Sequence, residues 1–201
     1  MTKRSFIKNM LNHYLLLCLL IFSSLSFAQE ELSISALYFP YYNVQADIDP
    51  DELNGGQQFH HDLEQGEGAG FRIGLLQKGL QSKVAVSLSY YRVKQREIET
   101  KDAVVSQALY LEVLPETELG SPDESIHSFG RIIAGIGVVK FDFVKNKSHE
   151  WGAASEIGGQ VGLRIGKFLN IAVGVGYFLW GYPSETIGEG SYFNGEVNIV
   201  F

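Results

Sequence analysis

Residues 171–179 read Ile-Ala-Val-Gly-Val-Gly-Tyr-Phe-Leu. Bulky apolar side chains occupy every odd position (Ile171, Val173, Val175, Tyr177, Leu179). Ala172, Gly174 and Gly176 sit between them, followed by Phe178. Successive side chains of a strand point to opposite faces, so this is a strand with one apolar face and one face of little bulk. The alternation recurs on either side. Ile157, Gly159, Val161, Leu163 and Ile165 alternate with Gly158, Gln160, Gly162 and Arg164, and Phe193, Gly195, Val197, Ile199 and Phe201 with Asn194, Glu196, Asn198 and Val200. Upstream, the rows Ala69–Leu75, Val84–Tyr90 and Val105–Val113 behave alike, and Leu32, Ile34, Ala36 and Tyr38 alternate with Ser33, Ser35, Leu37 and Phe39. Residues 128–144 are apolar on both faces, which predicts a bulge or register change near Gly135 or Gly137. No stretch after residue 28 holds a helical period for three turns. The pattern gives an all-β chain of eight strands, each roughly 10–14 residues long.

Composition sets the class. With 201 residues, 45% hydrophobic and 19% charged, the chain is one folded domain and not a disordered one. A net charge of −7 argues against a nucleic-acid partner. The single cysteine, Cys18, excludes an internal disulfide framework and a multi-cysteine metal site. Lys3, Arg4 and Lys8 precede a short apolar run, Tyr14 to Phe22, and small residues up to Ala28. These are the three parts of a secretory signal peptide, and the run is too short to cross a bilayer as a helix. Leu17 before Cys18 is not the small residue that lipoprotein processing needs. The expected plan is therefore a cleaved signal at 1–28 and a barrel domain at 29–201. Cleavage would leave 173 residues with 13 basic and 23 acidic side chains, a net charge of −10.

Alternation alone does not say which face is wet. A soluble lipocalin-type barrel would point its apolar face inward, and a membrane barrel would point it at lipid. The second face is crowded with small residues, as the narrow interior of eight strands requires. Its mid-strand charges are sparse and of both signs: Arg72, Glu112, Glu156, Arg164 and Glu196. The last strand ends in an aromatic, Phe201. On these residues the chain resembles the small bacterial outer-membrane barrel proteins, an eight-stranded antiparallel up-and-down transmembrane β-barrel. In that family a terminal aromatic with alternating apolar residues before it is read by the barrel-assembly machinery. The resemblance assigns that role to Phe193, Val197, Ile199 and Phe201, with Gly195 a weak member of the row. It also implies short periplasmic and long outer connections, against which the thirteen residues 115–127 stand as a long periplasmic exception.

Several constellations bear on function. Arg72, Glu112, Arg164 and Glu196, with Arg131 and Glu156, read as a lumen charge network. Parity and strand order suggest the pairs Arg72–Glu112 and Arg164–Glu196. Such pairs would plug the lumen, and the alternative is a small channel or transporter. Asp47, Asp49 and Asp51 open like a calcium loop, but Glu52 and Gln58 stand where that loop needs glycine and glutamate. His60 and His61 are weak candidates for a metal or for general-base chemistry, as in an outer-membrane acyltransferase or deacylase. No cofactor is called for. Arg92, Lys94, Arg96, Lys101, Lys140, Lys145 and Lys147 fall near the outer rim, where they suit lipopolysaccharide phosphates or ordinary snorkelling. Tyr38, Tyr90, Tyr177, Phe193 and Phe201 suit aromatic girdles. The leading reading is a plugged barrel that acts as a structural, lipid-contacting or accessory part of an envelope complex.

Overall fold

The computed structural model describes residues 30–48, 59–78, 83–98, 101–119, 125–144, 148–181 and 187–201. The expected signal segment, 1–28, lies outside them. The strands are β1 (Glu30–Ile48), β2 (Phe59–Asp62), β3 (Gly66–Lys78), β4 (Lys83–Arg96), β5 (Ala103–Glu118), β6 (Ile126–Phe143), β7 (Ser148–Ile165), β8 (Leu169–Gly181) and β9 (Ile187–Val200). Every pairing is antiparallel and between neighbours, and β1 also pairs β9, so the sheet closes on itself. The short β2 pairs the outer end of β1, and the bridge Leu63–Glu97 links the residue after it to the residue after β4. It continues the line of β3 beyond a break at Glu64 and Gln65, leaving eight walls. The walls run 13 to 19 residues, longer than the alternation alone marks.

Following partners round the ring from Ser33 gives Gly74, Ser87, Glu112, Gly135, Glu156, Phe178, Gly190 and finally Val44, eleven residues higher on β1. That stagger is the shear of a barrel whose strands tilt by about 40°. One of the eleven is a bulge at Pro40. The register slips between Phe39 and Tyr42 against β3, and between Tyr38 and Tyr41 against β9. Proline has no N–H to give to a ladder, so a bulge is where β1 tolerates it. Beyond it the inward parity flips: Ser33, Ser35, Leu37 and Phe39 face the lumen below, Tyr42 and Val44 above.

This corrects the expectation of an irregular strand at 128–144. β6 keeps one register against both neighbours from end to end, through Gly135 and Gly137. It is apolar on both faces because its lumen side packs Phe129, Ile133, Val139 and Phe141, while Ile132 and Val138 are exposed outside. The long connection at 115–127 is corrected too. β5 runs to Glu118 and β6 starts at Ile126, and the Leu119 N–H donates to the Ser128 carbonyl at 2.8 Å. Seven residues remain, so this turn falls in line with the short one at 166–168, where Gly166 takes φ +61°. Both described termini lie at this same end, since Phe201 N–H donates to the Leu32 carbonyl.

The middle stretches of the outward rows are apolar and bare. Val175 is 61% exposed, Val161 59% and Ile132 56%. Water would not tolerate a continuous belt of this kind around a protein, whereas membrane hydrocarbon covers it.

Candidate functional site: a charged plug beneath an aromatic cap

The lumen is built in two storeys. In the half toward the short turns, inward positions of six strands form one chain of alternating charge. The Arg72 guanidinium on β3 donates from Nε to Glu112 Oε2 at 2.6 Å and from Nη1 to Glu196 Oε2 at 2.6 Å. Glu196 on β9 also accepts from Ser35 at 2.7 Å and from Arg131 Nη1 at 3.3 Å. Arg131 on β6 lies 3.6 Å from Glu116, which is bound in turn by Arg164 on β7. Arg164 reaches Glu118 at 2.9 Å and Asn170 at 3.0 Å, and Lys83 on β4 closes the chain on Glu118. Arg131 and Arg164 also stand over the Phe129 ring, at 5.1 and 5.7 Å. Arg72, Glu112, Glu116, Arg131, Arg164 and Glu196 are all buried. Charges taken out of water this way are tolerable only when each is paired and its remaining lone pairs are bonded. Ser87, which donates to Glu112 at 3.0 Å, helps to meet that demand.

Glu156 is the exception among the inward carboxylates. Tyr192 donates to it at 3.4 Å, and it lies beside Glu112 in space that a side chain at Gly135 would fill, since a Cβ there would stand 2.9 Å from Glu156 Cγ and 3.1 Å from Glu112 Cγ. Among the described residues it has no ion-pair partner. A small polar cavity remains between Arg72, Glu116, Arg131, Arg164, Asn170 and Asn198.

Above this, aromatic rings fill the lumen wall to wall. Phe39 lies 4.7 Å from Tyr91 and 5.5 Å from Tyr192, Tyr42 stacks on Phe178 at 5.0 Å, Tyr91 stacks on Tyr110 at 5.6 Å, and Phe141 meets Trp180 at 4.9 Å. All are buried. The small inward residues now have a cause. A Cβ on Gly176 would stand 2.2 Å from the Tyr192 ring, and one on Gly190 2.2 Å from the Phe178 ring. Each glycine is the hole that a neighbouring ring fills.

The structure thus brings Arg72, Glu112, Arg131 and Glu196 together, with Arg164 one link away. Arg72 and Glu112 are partners, but Arg164 and Glu196 are not. Arg164 pairs Asn170 and Asn170 pairs Asn198, which sets Arg164 in line two residues below Glu196. The tilt lowers it further, to the level of Glu116 and Glu118. Those two carboxylates were missed because Pro115 and the Gly-Ser-Pro after them suggest a turn. The aromatic cap could have been found from parity at Phe39, Tyr91, Tyr110, Phe178 and Tyr192.

On the outer wall, Arg92, Lys94 and Arg96 stand exposed in one column of β4. Lys101 pairs Glu64 at 2.7 Å and holds that carboxyl below its usual range by hydrogen bond and charge. Lys140 pairs Asp142 at 2.6 Å and lies 5.5 Å over the Trp151 ring. Lys145 and Lys147 lie outside the described residues, as do Asp49 and Asp51. Register sets His60 opposite Asp47 and His61 opposite Ala46. Among the described residues no three His, Cys, Asp or Glu are grouped to hold a metal. Phe193, Val197, Ile199 and Phe201 form an exposed outward row.

No family model and no curated protein matches the chain. Solved structures do. Neisserial surface protein A (NspA) is 11% identical, with 85% of this chain and 97% of that one covered and a TM-score of 0.52. Ail, the attachment invasion locus protein of Yersinia pestis, is 14% identical over 86% of this chain and 99% of its own, with a TM-score of 0.44. The outer membrane protein AlkL is 16% identical over 88% and 92%, with a TM-score of 0.46. The fold is that of a small eight-stranded outer-membrane β-barrel.

Proposed function

We propose that the chain is a non-conducting component of the bacterial outer membrane. It works through its outer wall and loop end, as a structural, lipid-contacting or accessory part of the envelope. The observation that carries this reading is the double closure of the lumen. A permeating ion would have to part the pairs that Arg72 makes with Glu112 and Glu196, and then pass the rings of Phe39, Tyr42, Tyr91, Tyr110, Phe178 and Tyr192. Eight strands leave no room for side chains to fold aside without filling the same narrow space. The test is reconstitution of the purified barrel in planar bilayers. Flat baselines at all voltages are expected. Discrete, ohmic conductance steps from protein verified as folded would replace this reading with a channel.

A further inference from the structure

The outer face of β4 carries a column with two parts. Val84, Val86, Leu88 and Tyr90 make its apolar part, and Tyr90 ends it with a hydroxyl that donates to Gln107 at 2.9 Å. Directly above stand Arg92, Lys94 and Arg96, all exposed. Among the described residues the other rim cations are engaged: Gln107 donates to Asp142 at 2.8 Å, Asp142 binds Lys140, Lys140 covers Trp151, and Lys101 binds Glu64. No acidic group among the described residues comes within ion-pair distance of Arg92, Lys94 or Arg96, although Arg96 stands near enough for its charge to act on Glu64. Glu67 is the register partner of Lys94 yet forms no such pair. Three of the five flanking outward residues are small, the others being Gln107 beside Arg92 and Glu67 beside Lys94. Ala69 lies beside Arg92, Val105 beside Lys94 and Ala103 beside Arg96. The three cations therefore border a shallow shelf. With about 6.8 Å between outward residues of a strand, the shelf is about 14 Å long.

We infer that this shelf binds the phosphorylated headgroup of an outer-leaflet glycolipid, lipopolysaccharide, whose acyl chains lie along Val84–Tyr90. The column has a lipid's own order, apolar below and anion-seeking above, and its charged part has the length of a disaccharide with a phosphate at each end. A free anion would need the cations but not the apolar run beneath them. Guanidinium groups at two of the three positions suit phosphate, which they grip with paired N–H donors. Lys140, already held by Asp142 and Trp151, is not part of the site. The inference does not depend on whether the lumen conducts.

The experiment measures binding of fluorescent lipopolysaccharide to the detergent-solubilised barrel at low salt. It compares the parent, the variant Arg92→Gln/Lys94→Gln/Arg96→Gln and the variant Lys140→Gln, each verified as folded by its heat-modifiable gel mobility. A cation near a lipid surface contributes about fivefold in affinity, so the triple variant should bind on the order of 100-fold more weakly. Lys140→Gln should stay within about threefold of the parent. Two arms need no variant: lipopolysaccharide stripped of phosphate should bind the parent weakly, and raising the salt should weaken the intact lipid. Parent-like binding by the triple variant, or equal binding of the dephosphorylated lipid, overturns the inference. Displacement of the lipid by inorganic phosphate at an equal phosphate concentration overturns it as well, by assigning the column to free anions.

Discussion

Arg72 is the hub of the lumen, and its removal is the sharpest test of how the plug is held. In Arg72→Met the side-chain volume is roughly kept while both 2.6 Å contacts, to Glu112 and Glu196, disappear. The side chains of these pairs are only 4% and 1% exposed, so water does not screen them and cannot solvate what is left behind. Glu196 keeps Ser35 and the 3.3 Å contact to Arg131, but Glu112 keeps no cation, only serine hydroxyls and a hydrogen bond to the neighbouring carboxyl Glu156. The loss therefore falls mainly on one stranded carboxylate, and a destabilisation of about 3–5 kcal/mol is expected, not twice that. Arg72→Met/Glu112→Gln removes the stranded charge together with its partner and should recover at least half of the loss. The measurement is equilibrium urea unfolding in lipid vesicles, with the heat-modifiable band as the folded signal. A single variant within 1 kcal/mol of the parent, or a double variant no more stable than the single, would show that the ion pairs fill space without governing stability.

Three other outcomes follow from the same geometry. Val175→Arg, in the middle of an outward row and 61% exposed, should cost roughly 2–4 kcal/mol in vesicles, and loss of stability only in detergent-free water would contradict lipid contact there. Gly176→Ala should destabilise by about 1–3 kcal/mol because its Cβ meets the Tyr192 ring, whereas Gly195→Ala, with nothing within 4 Å, should be close to neutral in the same assay. Deleting Phe201 should lower the yield of assembled barrel in cells more than the unfolding free energy of barrels refolded from urea, and equal losses in both would make the residue a girdle member only.

How far the sequence disclosed this molecule depends on what each feature needs. Facing needs only parity. Hydrocarbon outside and a narrow lumen inside both act residue by residue, so Ile171–Leu179 could be assigned without knowing any neighbour. Parity fails where the backbone itself changes step. Pro40 inserts one residue, and from there Tyr42 and Val44 point inward although they continue no inward row in the sequence. Local composition misled at Pro115–Glu118, where turn-forming residues stay extended and Glu116 is held by its register partner Arg131 on the adjacent strand and by Arg164 one strand further on.

Partnership needs height as well as facing, and height is a property of the closed sheet. The climb from Ser33 to Val44 in one circuit is set by all eight walls together, so no single strand carries the information that puts Arg164 beside Glu118 and Glu196 beside Arg72. The same holds for the cap. Gly176 shows in the sequence as a hole and Tyr192 as a knob, each on its own strand, and only the stagger decides that one fills the other. The β4 column escapes this limit. Its apolar residues and its three cations follow one another along a single outward row, so its amphipathic order was written in consecutive sequence. What required the structure was the fate of the competing charges. Lys101 and Lys140 look equivalent to Arg92 until Glu64 and Asp142 are seen to occupy them. Among the described residues a basic rim becomes a directional one by that subtraction, with the cations that form no ion pair confined to one strand of the barrel.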